Sequence, residues 1–210
     1  NLLLSGLQSD ATSGNYNRLH NSGTLKVKDI TLSSDLFPKP FIVNTGLFRF
    51  NQDKMWFDAF NATYGSSDFA LNGYLSNVIN YALKDNEPLK GNFDLKSNKI
   101  IADEFMAYAD SSAATDSTVA AAGVIIVPQN LDLSFTATAK NIDYNGLVLK
   151  DFKGQMDIAK GAIILKQTGF TLIDAPVVMD ATYSSITPLK AAFDYHITAK
   201  DFDVKKAYNE

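Results

Sequence analysis

The feature that most constrains this chain is a period of two. Leu131, Leu133, Phe135, Ala137 and Ala139 alternate with Asp132, Ser134, Thr136, Thr138 and Lys140, and Phe193, Tyr195, Ile197 and Ala199 alternate with Asp194, His196, Thr198 and Lys200. Shorter runs obey the same rule: Phe93 and Leu95 stand among Asn92, Asp94 and Lys96, and Leu25 and Val27 among Thr24, Lys26 and Lys28. Successive strand side chains point to opposite faces, so each run describes a strand with one apolar and one polar side. One-sided strands are typical of antiparallel sheets, whereas buried parallel strands read as unbroken Val/Ile/Leu runs.

Turn chemistry separates the runs. Asn145-Gly146, Lys160-Gly161 and Gln52-Asp53 each fall between two strand patterns and predict tight hairpins. Residues 85–88 and 184–188 read as loops, each ending in a proline. Helix signals are few: residues 76–83 predict two turns, and 104–109 one more. Residues 110–122, rich in Ser, Ala, Thr and Asp, predict a connection between two halves. The expected organisation is a first β-meander over 1–106, a connection over 107–130 and a second meander over 131–210, within one continuous sheet.

Composition narrows the classes further. With 46% hydrophobic and 20% charged residues over 210 positions, the chain is neither disordered nor collagen-like. It has no cysteine, which excludes disulfides and thiolate metal sites, and only His20 and His196 are available as imidazole ligands. A net charge of −4 without a basic block argues against nucleic acid as a partner. The longest apolar run, 119–127, is ended by Pro128 and is far shorter than the roughly 20 residues of a spanning helix. Asn1-Leu-Leu-Leu-Ser5 lacks the basic start of a signal peptide. The expectation is either a cytoplasmic protein or a piece of a longer chain.

Two recurrences run through the sequence. Residues 46–74 superpose without a gap on 154–182 at an offset of 108, placing Phe48 on Met156, Phe50 on Ile158, Met55 on Ile163 and Phe57 on Leu165. The match is one of pattern, since only Gly46/Gly154 and Thr63/Thr171 are identical. A shorter form occurs three times: Val27-Lys-Asp-Ile-Thr-Leu32, Ala139-Lys-Asn-Ile-Asp-Tyr144 and Ala199-Lys-Asp-Phe-Asp-Val204. In each, the apolar parity switches at the Lys-Asp/Asn step. A one-residue slip exposes a strand's apolar face unless a bulge or bend restores it, so a repeated structural device is expected there.

Leu71-Asn-Gly73-Tyr-Leu-Ser-Asn77, Leu89-Lys-Gly91-Asn-Phe-Asp-Leu95-Lys-Ser97 with Ile100 and Ile101, Val127-Pro-Gln-Asn-Leu131-Asp and Gly146-Leu-Val-Leu-Lys-Asp-Phe-Lys-Gly154 resemble strands of the AsmA-like family of bacterial envelope proteins, relatives of TamB and of repeating β-groove proteins. The resemblance covers most of 24–204. It implies a long, curved antiparallel sheet forming a half-open groove and residence in the periplasm, with an inner-membrane anchor in the full-length protein. It also implies a non-enzymatic role in phospholipid transport between membranes or in outer-membrane assembly, with phospholipid as partner and no cofactor. The lipid-facing candidates are Phe93, Leu95, Leu133, Phe135, Phe193, Tyr195 and Ile197.

Other groupings are weighed against that reading. Asp103-Glu104 and Asp201-x-Asp203 are candidate calcium or acid–base carboxylates, but carboxylates on the solvated side of a one-sided strand are the ordinary case. His196 lies on a polar strand side and His20 in a Gly/Asn/Ser-rich stretch, neither beside a nucleophile elbow, so no catalytic or metal residue is assigned. Trp56, Phe57, Phe60 and Tyr64 form an aromatic strand in which Phe57 reads as core, while Trp56, of opposite parity, is left open between packing and a sugar-stacking or lipid-facing role. Two alternatives follow: a structural or adhesive β module with a dry core, and a carbohydrate-binding β protein using Trp56.

Overall fold

A computed structural model describes residues 1–33, 38–105, 124–187 and 189–201. Eleven strands form one open sheet in chain order: β1 (Leu2–Ser5), β2 (His20–Leu32), β3 (Phe41–Asn51), β4 (Lys54–Tyr64), β5 (Ser67–Ser76), β6 (Leu89–Ile101), β7 (Leu131–Tyr144), β8 (Leu147–Ala159), β9 (Ala162–Leu172), β10 (Ala175–Thr187) and β11 (Lys190–Ala199). The first and last strands do not pair with each other, so the sheet is a half-open groove and not a barrel. Two short helices, α1 (Gln8–Thr12) and α2 (Val78–Leu83), and a 3₁₀ turn at Ala102–Phe105 complete the described secondary structure, apart from a second 3₁₀ turn at Tyr16–Arg18.

The hairpins form where turn chemistry placed them. Gln52, Asn145 and Lys160 all have φ between 51° and 56°, the left-handed conformation that two-residue turns need to match strand twist. Residues 184–187 continue β10 and are not the expected loop; Ser185 there accepts the N–H of Val127 through its hydroxyl at 3.0 Å. The expected helical turn over 104–109 reaches only Phe105 among the described residues. The connection expected over 110–122 lies outside them.

Every neighbouring pair is antiparallel except β6 and β7, which run parallel, with Phe93 beside Phe135 and Ile100 beside Ile142. The sheet is thus mostly antiparallel, as expected, with one parallel joint in its middle. A parallel pair needs a crossover; of this one, residues 124–128 are described, and they hydrogen-bond to side chains of β10. The outer face stays solvated, so β6 and β7 keep the one-sided alternation that resembles an antiparallel strand.

The 108-residue recurrence is reproduced in register. Phe57 pairs with Gly73 and Phe60 with Leu71, with a register step between them; Leu165 pairs with Ala181 and Thr168 with Met179, with the same step. The parity switch occurs at Val27–Leu32 and Ala139–Tyr144 and extends to further strands; the third expected occurrence, at 199–204, runs outside the described residues. Ser97, Ala139 and Phe152 lie side by side on the inner face, and so do Ile100, Ile142 and Leu149, three residues further along each strand. β3 switches between Val43 and Gly46, paired with Ile30 and Val27 of β2. Asp29, Asp151 and Gln167 adopt positive φ at these steps. A crease thus crosses the sheet, re-aiming each strand so that both halves of it present apolar residues to one side.

Candidate functional site

The inner face is built from rows of side chains carried across the sheet by strand register. One row runs from Phe48 through Phe57, Gly73, Phe93, Phe135, Met156, Leu165 and Ala181 to Tyr195. All seven lipid-facing candidates belong to this face, but their surroundings differ. Phe93 is buried and stacks on Phe135 with ring centroids 5.5 Å apart, while Leu95, Leu133 and Phe135 are half-buried. Phe193, Tyr195 and Ile197 on β11 are exposed, because among the described residues nothing packs over the last strand.

In the first meander the groove is filled by its own rings. Phe48, Phe57 and Phe60 meet edge to face at 4.9–5.9 Å, and Phe57 continues to Phe93 at 5.2 Å. Near the other end Tyr64 stacks on Phe105 at 4.4 Å. This end is fastened by Glu104, whose carboxylate accepts Lys39 Nζ and the Ser66 N–H, each at 2.8 Å, while Tyr64 donates to its carbonyl. Burial pushes the Glu104 carboxyl up, but these hydrogen bonds and the Lys39 charge hold it below its ordinary value. The carboxylate pair expected at 103–104 is therefore a fastening, since Asp103 accepts the N–H of Asn145 at 2.8 Å.

Space is left where the two meanders join. A cavity of about 360 Å³ is walled there by Ala139, Phe152, Met156 and Ile163 of the second meander and by Phe69, Leu95 and Phe105 of the first, with Ile125–Pro128 along one side. No charged side chain lines it. The bordering segment is held by two hydrogen bonds to β10: the Ile125 N–H donates to Tyr183 Oη at 2.8 Å and the Val127 N–H to Ser185 Oγ at 3.0 Å. Neither residue was singled out by the sequence reading. Their signal is weak, a tyrosine and a serine on an apolar strand face next to a predicted loop.

The remaining candidates sit elsewhere. Trp56 is on the outer face, flanked by Arg49 and Lys54 at 5.3 and 5.2 Å from its ring, and Arg49 also forks onto Asp58. The side-chain hydrogen bond from Arg49 lowers the Asp58 carboxyl and raises the guanidinium in return. His20 begins β2, not a loop, with Nδ1 2.7 Å from Gln52 Nε2, and His196 is exposed on β11. Asp201 is exposed, and Asp203 lies outside the described residues. Among the described residues no three His, Asp or Glu side chains gather as a metal site, and no helix is long and apolar enough to cross a membrane. No family model, no curated protein and no solved structure matches the chain.

Proposed function

We propose that this chain is a non-enzymatic acyl-chain-contacting groove, a phospholipid-handling module of a bacterial envelope protein. The observation that carries this reading is the cavity of about 360 Å³ at an open, continuous apolar face, with no charged group in its lining. Apolar walls of this kind, aliphatic with Phe69, Phe105 and Phe152 among them, suit a flexible hydrocarbon, which gains about 0.8 kcal/mol for each CH₂ it buries and needs no directional partner. Burial at roughly 25 cal/mol per Å² lets many small contacts bind without a polar anchor. The exposed inner residues of β11 would extend the same track toward the open end. The resemblance of the strand motifs to AsmA-like proteins is the ground for proposing that the full-length protein resides in the periplasm, anchored to the inner membrane, in lipid transport or outer-membrane assembly.

The test is native mass spectrometry of the chain after gentle purification and after incubation with phospholipid vesicles. Adducts with phospholipid masses are expected, and Ile158→Asp, in the cavity wall, should remove them while far-UV circular dichroism retains the strand signature. A chain that stays free of lipid under both conditions contradicts the reading. Retention of lipid with loss of binding to a glycan array on Trp56→Ala would move the function to the outer face.

A further inference from the structure

The cavity where the meanders join follows the strands that line it. On β8 its lining runs from Phe152 through Met156 to Ile158, about 20 Å of extended chain, and on β7 from Ala137 through Ala139 to Ile142. Ala137 and Ala139 are buried, so the β7 side of this length carries only methyl groups over its middle.

Its size sets how much hydrocarbon it holds. An apolar cavity of about 150 Å³ stays dry and takes benzene, about six carbons. At the same packing, a cavity of about 360 Å³ takes about fourteen carbons. That is one acyl chain of common length, whereas a phospholipid brings two. The lining also offers nothing to a polar head. Among the described residues that line it, Thr138 alone has a polar side chain, and its hydroxyl already donates to the Leu95 carbonyl at 3.4 Å. The nearby hydroxyls of Tyr183 and Ser185 are engaged by the Ile125 and Val127 N–H groups.

We propose, on the basis of the lipid reading above, that this cavity holds a single acyl chain with its polar end in solvent, and that the ligand class of the site is the single-chain lipid, a monoacyl phospholipid or a free fatty acid. Selection then falls on chain length and not on the head. Each CH₂ adds binding free energy until the cavity is full, and further carbons add less. A diacyl phospholipid enters by one chain, and its second chain stays outside the cavity.

The test is titration calorimetry and native mass spectrometry with decanoyl, dodecanoyl, tetradecanoyl and octadecanoyl lysophosphatidylcholine, each below the concentration at which it aggregates. The free fatty acids of the same lengths form a second arm, and vesicles of dimyristoyl phosphatidylcholine a third. One lysolipid per chain is expected. Affinity should rise about fourfold for each CH₂ up to tetradecanoyl, the change that 0.8 kcal/mol makes, and clearly less from there to octadecanoyl. Lysolipid and fatty acid of one length should agree within about tenfold, since the head is not held. Ile163→Phe, which adds volume beside Ile158 at one end of the lining, should move the plateau to shorter chains while circular dichroism is unchanged. Two lysolipids per chain, an affinity indifferent to chain length, or a diacyl lipid held about tenfold or more tightly than tetradecanoyl lysolipid would overturn the single-chain inference and leave the lipid reading standing. No adduct with any of the three probes would overturn the lipid reading itself.

Discussion

The two meanders share a register and differ in what fills them. Where the first carries Phe48, Phe50, Phe57 and Phe60, the second carries Met156, Ile158, Leu165 and Thr168 at the same hairpin positions. Phenyl rings interlock edge to face and close the first half by themselves. Smaller and more flexible side chains such as Met156, Ile158 and Ile163 leave a cavity where the second half meets Phe69 and Phe105 of the first, bordered by residues 125–128. One backbone design therefore yields a self-filled half and a receptive half, and side-chain volume at a few repeated positions decides which.

The largest expected effect separates a filled position from its unfilled counterpart. Phe93→Ala removes a buried ring from the aromatic array and should cost about 3–5 kcal/mol by urea denaturation. Tyr195→Ala, the same position in the second meander, should cost about 0.5 kcal/mol or less at concentrations where the chain is monomeric. Equal losses would mean that β11 is covered in solution and would break the comparison.

Next in size is the Glu104 fastening of the aromatic half. Glu104→Gln should cost about 1–3 kcal/mol, because the Lys39 and Ser66 donors lose a charged acceptor. The folded carboxyl sits below its ordinary value of 4.5, so its stabilisation is complete above that pH and is lost as pH falls through the lower folded value. The wild-type chain should therefore lose stability in acid below about 4.5, and E104Q should lose less over the same interval, as read by denaturant midpoints.

A smaller effect on stability carries the greater consequence for function. Met156→Phe with Ile158→Phe carries the rings of Phe48 and Phe50 over to the matching positions in the cavity wall. Repacking should change stability by about 1.5 kcal/mol or less, while phospholipid adducts in native mass spectra largely disappear. Undiminished lipid binding by this variant would show that the cavity is not where lipid sits. Least of all, Trp56→Ala on the outer face should leave lipid binding unchanged and shift stability by only about 1 kcal/mol, the value of its contacts with Arg49 and Lys54.

Much of this architecture was legible from residue order. Alternation reveals strands directly because it is a local property, and Asn145-Gly146 or Lys160-Gly161 mark hairpins through backbone conformations that few residues tolerate. The crease was visible only where a Lys-Asp or Lys-Asn step marks it. In β4 and β9 the same change of parity falls at Asp58-Ala59 and Lys166-Gln167, which no short pattern flags. The parallel β6–β7 joint was not legible, because alternation reports which faces are covered and not strand direction. Nor was the border of the cavity, since Tyr183 and Ser185 meet residues 125 and 127 across 58 positions of chain.

Methionine methyl resonances test the central claim most directly, because Met55 lies among the rings of the first half while Met156 lines the cavity and Met179 packs on the second meander's core. Titration of methyl-labelled chain with a short-chain phospholipid should shift Met156 and Met179 and give contacts between the Met156 methyl and acyl protons, with Met55 unmoved. Perturbation of Met55 alone, or none at all at saturating lipid, would contradict the division of this sheet into a filled half and a receptive one.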